Sequence, residues 1–219
     1  MATPGKLSYQ VFVSEPIPFN VTERAPNGDH RMFQPISSTL IVGATDAVLV
    51  WDKYFPDQIP DTPVLATTPP GNRFELEGNE LRIVEVGHSD TDQTSVLYVP
   101  SIGLIVAGDV IYNGYHQYLA ETRNGGLKAW MKAVDLVAAL KPRFIVAGHK
   151  NKALEDDPRI IAETRHYLED AERLIGTSHT ALEFYNAMIE LYPDRLNPSA
   201  LWFWGAKTLF ENAKEKRAS

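Results

Sequence analysis

Three short blocks place a residue able to bind a metal ion directly after a glycine: Val86-Gly87-His88, Ala107-Gly108-Asp109 and Ala147-Gly148-His149. Each follows a run of β-branched and aliphatic residues, so each ligand-type side chain is expected at the end of a strand. Glycine lets the backbone turn tightly there, and strand ends of an open α/β sheet converge on one cleft. Two imidazoles and a carboxylate suit a divalent, zinc-like ion. One Gly-His pair alone reads more simply as a strand-end histidine satisfied by nearby backbone; three blocks in series are a stronger signal. Asp90 and Asp92 lie just past His88 and could lean into the cleft as substitute ligands, or orient the histidine. Tyr112 and His116 are four apart and share a face if Val110 to Leu119 is helical. His116 is then a ligand, a substrate contact or an exposed histidine. His30, His166 and His179 carry no motif.

The elements that must hold these residues are legible in the hydrophobic pattern. Leu7 to Val13 reads as a strand, and Pro16, Pro18, Pro26 and Asn27-Gly28 as a loop after it. Ser38 to Val42 and Ala47 to Trp51 read as a hairpin around Gly43-Ala44-Thr45-Asp46. Asp52 to Arg73 shows no periodicity. Strands are expected over Phe74-Glu75-Leu76, Leu81 to Val86, Ser95 to Val99, Leu104 to Ala107 and Phe144 to Ala147. Leu127, Trp130, Met131, Val134 and Val137 fall at helical spacing, which predicts a helix over Gly126 to Leu140 ended by Lys141-Pro142. The last third is helical. Asp157 caps a helix with Pro158 at its first position, Thr180-Ala181-Leu182-Glu183 is a capping box, and Asn197-Pro198 starts a helix carrying Trp202 and Trp204. We read residues 1–157 as one α/β unit and residues 158–219 as a helical extension packing on it. The tryptophans are expected to pack on the core; a dimer face or a substrate-pocket wall is the other use of such aromatics.

Composition narrows the function classes. A chain of 219 residues, 44% of them hydrophobic, can build one sizeable core. A net charge of -7 without a basic cluster argues against nucleic-acid binding. The absence of cysteine rules out disulfides and Cys-ligated zinc. No apolar run is long enough to span a bilayer and no signal-type segment follows Met1, so a cytoplasmic location is expected.

The stretch from Val86 to Pro100 and on through Val106-Ala107-Gly108-Asp109-Val110 resembles the third and fourth motifs of the metallo-β-lactamase fold. Phe144-Ile145-Val146-Ala147-Gly148-His149 resembles the fifth. The resemblance is strong over Leu81 to Asp157 and weaker over Ser37 to Val50 and the tail. It implies an α/β (α+β) sandwich of four αββα layers with a helical C-terminal region. It also implies metal ligands His88, Asp109 and His149, with Asp109 able to bridge two ions, and zinc or another divalent transition metal as cofactor. Metal-bound hydroxide would hydrolyse an ester, lactone, thioester, amide or phosphodiester in a small-molecule substrate.

The same resemblance exposes a gap. Relatives carry a His-x-His-x-Asp-His cluster between segments resembling Ala47 to Val50 and Trp51 to Thr67, and this sequence contains no such cluster. We read the N-terminal half as shortened near residues 50–51, with loss of a strand, a helix and the cluster. Two protein ligands per ion hold zinc poorly, because catalytic sites keep three plus water. Hydrolysis is therefore expected to be impaired or absent. The alternative is a non-catalytic remnant, truncated isoform or binding module of the same fold; an unrelated α/β binding domain is a third reading. The coding sequence across Val50 and Trp51 discriminates between them. Apolar surface exposed by such a loss favours self-association, and the aromatic C-terminal helices offer a homo-oligomer face.

Overall fold

The computed structural model describes residues 17–20, 24–28, 31–34 and 69–210. The strand expected over Leu7 to Val13, the hairpin between Ser38 and Trp51 and the junction at residues 50–51 lie outside the described residues. Two short strands, β1 (Ile17–Asn20) and β2 (Arg31–Gln34), pair antiparallel around Asn27-Gly28. The sequence reading placed Pro18 in a loop. It lies within β1, and a two-stranded ribbon tolerates the missing N–H because each strand keeps one unpaired edge.

The main sheet has five strands in the order β3 (Arg73–Leu76), β4 (Asn79–Gly87), β5 (Thr94–Val99), β6 (Leu104–Asn113) and β7 (Phe144–Lys150). The first four form an antiparallel meander. β7 joins parallel to β6 after the crossover helix α1 (Gly126–Ala139), as a parallel neighbour requires. Alternation along the strands sends residues to two faces. Val86, Val96, Ile105, Ala107, Ile145 and Ala147 join the main core with the helices. Leu81, Val99, Leu104 and Val146 form a second, smaller cluster on the opposite face.

Three further helices follow: α2 (Arg159–Thr177), α3 (Ala181–Leu191) and α4, residues 198–210. α4 is π-helical over Leu201–Ala206. The start of α2 lies one residue later than the sequence suggests, with Asp157 Oδ1 accepting from the Arg159 N–H at 2.8 Å. At α3, Thr180 Oγ1 accepts from the Glu183 N–H (3.1 Å), while Glu183 reaches back to the His179 N–H, one residue before the cap. One contiguous core runs from Val86 on β4 to Leu201 and Ala206 on α4, so the sheet and the C-terminal helices bury a common apolar interior. The architecture is mixed α/β, a five-stranded sheet with helices packed on it.

Candidate functional site

The backbone that carries Asp109 is not a regular strand. β6 and β7 keep register through Val106↔Val146, then Gly108 pairs Ala147 and Tyr112 pairs His149. Three residues on β6, 109–111, therefore face one residue on β7, Gly148. A bulge of this kind re-aims a side chain out of the sheet's alternation. Gly108 takes a left-handed φ of 52° to make it. The Asp109 carboxylate occupies the space a β-carbon on Gly148 would need, and that carbon would also lie 2.8 Å from the Gly108 carbonyl carbon. Gly148 is thus the seat of Asp109. Asp109 Oδ1 stands 3.5 Å from His149 Nε2.

The far side of this pair is built by Tyr112. Its ring stacks on His149, with centroids 5.0 Å apart and planes inclined 29°. The Thr164 hydroxyl on α2 accepts from the Tyr112 N–H and donates to the Tyr112 carbonyl, each at 3.2 Å, pinning the bulged strand to the helix. Burial first, then the Asp109 and Asp90 charges, hold the Tyr112 phenol well above its ordinary range. Val110 to Leu119 is not the helix on which the pairing of Tyr112 and His116 depended: β6 runs to Asn113 and a loop follows. β-branched Val110 and Ile111 favour the strand, and parallel pairing to β7 carries it past the bulge.

His88 follows Gly87, whose φ of 85° turns the chain out of β4. Asp92 Oδ1 lies 2.6 Å from His88 Nδ1. A carboxylate on Nδ1 leaves the Nε2 lone pair as the free donor, the arrangement of metal-binding histidines. His88 Nε2 is buried without a hydrogen-bond partner and lies 2.9 Å from where a β-carbon on Gly126, at the start of α1, would stand. Asp90 is almost fully buried, with Ser89 Oγ donating to it at 3.1 Å. Burial, reinforced by the Asp109 charge, lifts its carboxyl from 3.8 to about 7.

His116 makes different contacts. It is 2% exposed, its Nδ1 lies 3.0 Å from the Tyr167 hydroxyl, and its backbone N–H donates to the Leu196 carbonyl. Arg195 stacks over the Tyr167 and Tyr192 rings nearby and donates to the Tyr115 carbonyl at 2.8 Å. Burial first, then the Arg195 charge, takes the His116 imidazole down from 6.5 to about 3, so it is neutral.

Asp90 and His116 couple folding to pH in opposite senses. The Asp90 value in the fold lies above its unfolded one, so folding takes up a proton between about 4 and 7 and stability falls as pH rises there. The His116 value lies below its unfolded one, so stability falls as pH drops from 6.5 toward 3. Across roughly pH 4 to 6.5 the two offset each other. Asp90→Asn is expected to uncover the His116 slope, a stability rising with pH by up to ~1.4 kcal/mol per unit in that window relative to wild type. Urea midpoints at several pH values check this; profiles of identical shape in both proteins contradict it.

Sequence reasoning missed two contributions: Tyr115 of the loop after β6, whose ring is 6.2 Å from His149, and Gly126, the first residue of α1, which gives the His88 ring its space. Nothing in their spacing marks them, because the segment 114–125 has no period. The donors are chemically right for zinc: imidazole nitrogens and a carboxylate. They come together only as the Asp109–His149 pair. Among the described residues no group of three His, Asp or Glu side chains stands close enough to hold one ion. These residues do not fit a closed zinc centre.

Comparison with known proteins finds low similarity. No family model matches the chain, and no curated protein matches it. Among solved structures, a metallo-beta-lactamase family protein of Thermus thermophilus is 24% identical with a TM-score of 0.47, covering 73% of this chain and 51% of its own. A metallo-beta-lactamase from Pontibacter korlensis is 20% identical with a TM-score of 0.39, covering 55% of this chain and 54% of its own. The mono-zinc form of the metallo-beta-lactamase FIM-1 from Pseudomonas aeruginosa is 19% identical with a TM-score of 0.37, covering 49% and 46%. The chain spans about half the length of the solved structures it matches.

Proposed function

We infer that this chain is a relative of the metallo-β-lactamase-fold hydrolases in which the ancestral reaction site persists as a ligand-binding cleft. The ancestral reaction is metal-dependent hydrolysis of an ester, lactone, thioester, amide or phosphodiester, and this chain by itself does not sustain it. His88, Asp109 and His149 are the ligand positions, Asp92 orients His88, and Tyr112 backs His149. The observation that carries this reading is the bulge that seats Asp109 over Gly148 beside His149. A β-bulge, a left-handed glycine and a vacated β-carbon position together aim one carboxylate at one imidazole, and core packing alone requires none of them.

Loss of turnover follows from ligand count. Zinc in a hydrolytic site needs three protein ligands to lower the pKa of bound water, and the described residues supply an adjacent pair. The test is hydrolysis of a chromogenic ester, a lactone and a phosphodiester with zinc supplied in excess. The expected result is a rate no greater than that of a His88→Ala/His149→Ala double variant. A zinc-dependent rate at least about tenfold above the double variant overturns the loss of activity and makes the chain a working metallohydrolase.

A further inference from the structure

β3 is the outer strand of the five-stranded sheet, and all four of its residues are exposed. Among the described residues β4 is its one strand neighbour. Phe74 and Leu76 are 43% and 52% exposed, a large apolar load for a sheet edge. Phe74 stands opposite Leu81 and shares its face, the one that carries the smaller apolar cluster. By alternation Arg73 and Glu75 belong to the other face. There the charges are set against their own kind: Arg73 stands opposite Arg82, and Glu75 opposite Glu80. Like charges directly opposite destabilise an antiparallel pair. The two-residue turn Glu77-Gly78, with left-handed φ of 50° and 75°, holds the strands in this register. Glu80 is shared between Arg73, at 3.9 Å, and Arg82. Glu75 makes no ion pair among the described residues. The fold of one chain alone gives no reason for this arrangement.

We propose that β3 pairs edge to edge with β3 of a second copy of this chain, antiparallel about a two-fold axis at Phe74, so that the two sheets join into one. That register sets Phe74 against Phe74, and Arg73 of each copy opposite Glu75 of the other. The run Arg73-Phe74-Glu75 is its own complement when antiparallel, whereas a parallel in-register pairing puts like charge on like. Glu75 gains the guanidinium it lacks, and Arg73 gains a carboxylate of its own. Across the seam the charges run Arg82, Arg73, then Glu75 and Glu80 of the second copy, and the two-fold axis repeats the row in reverse. Phe74 carries the apolar face across the axis, and the open backbone edges supply ladder hydrogen bonds. Charged edge residues ordinarily turn a second strand away. Here the same charges select one register and one partner. Four residues make a short seam, so the dimer is weak, with a Kd between about 10 µM and 1 mM.

The experiment is sedimentation equilibrium of the full chain over the range from about 10 µM to 1 mM, with charge-reversal variants beside it. The expected result for the wild-type chain is a reversible monomer–dimer equilibrium within that range. Arg73→Glu and Glu75→Arg should each weaken the dimer about tenfold, since either one turns both cross-copy pairs from attractive to repulsive. Neither reversal should lower the melting temperature, because Arg73→Glu places a carboxylate opposite Arg82 and Glu75→Arg places a guanidinium opposite Glu80. Loss of the dimer is thereby separated from loss of the fold. An equimolar mixture of the two single variants should regain association, each supplying the charge the other lost. The double reversal Arg73→Glu/Glu75→Arg should dimerise on its own. A wild-type chain monomeric throughout the range overturns the proposal. So does a dimer that neither single reversal weakens, which is what a seam through the aromatic C-terminal helices would give. Folded single variants whose mixture stays monomeric overturn it as well.

Discussion

Trp130→Ala is expected to cost about 3–5 kcal/mol of folding stability, the largest single loss available beneath the cleft. Trp130 on α1 is fully buried, its indole N–H donates to the Val110 carbonyl at 2.9 Å, and its ring lies 5.9 Å from that of Tyr112. Truncation opens a cavity directly under the bulged segment of β6 and strands a buried carbonyl. Two costs therefore add: lost apolar transfer with an unfilled void, and an acceptor deprived of its donor. Trp130→Phe keeps most of the volume and loses the hydrogen bond, so it should cost about 1–3 kcal/mol. Urea unfolding with both variants separates the two contributions. A loss under about 1 kcal/mol for Trp130→Ala would mean that the core can collapse around the site, against the packing described above.

Gly148→Ala should cost about 1–3 kcal/mol and unseat Asp109. The added carbon meets the carboxylate and the Gly108 carbonyl carbon together, so the side chain cannot give way without the bulge also shifting. The effect should be coupled to Asp109. In an Asp109→Ala background the carboxylate is gone and only the backbone contact opposes the new carbon. Gly148→Ala should then cost less, with a coupling of about 0.5–3 kcal/mol in the double-mutant cycle. Strict additivity would show that Gly148 serves chain flexibility and not the seating of Asp109.

The strands leading into the Gly-ligand blocks were readable because alternation has a period of two, but only Gly87 ends its strand; Gly108 and Gly148, read as strand-end turns, lie inside β6 and β7, which run on to Asn113 and Lys150. The crossover helix was readable because Leu127, Trp130, Met131, Val134 and Val137 keep the helical period, and all of them are buried along one face. The bulge was not readable. Val110-Ile111-Tyr112 looks the same whether it continues a strand, bulges or opens a helix, and Gly148, which permits the bulge, lies far along the chain from Gly108. The place of His116 depends on Tyr167 and Arg195, partners that only tertiary packing supplies. Asp92 could be singled out as an orienting residue because it is close in sequence to His88; Tyr115 could not, since an aperiodic loop gives no sign of which side chains it turns toward His149. The π-helical stretch in α4 likewise has no sequence period of its own.

On the reading proposed above, His88, Asp109 and His149 are ancestral ligand positions, of which the described residues bring only Asp109 and His149 together. The direct measurement is zinc content per chain, by elemental mass spectrometry, on protein purified without chelator beside the His88→Ala/His149→Ala variant. The expected result is metal far below one ion per chain in both samples and no difference between them. Near-stoichiometric zinc in the wild-type chain, lost in the double variant, would contradict this and show that further residues of this chain close the site.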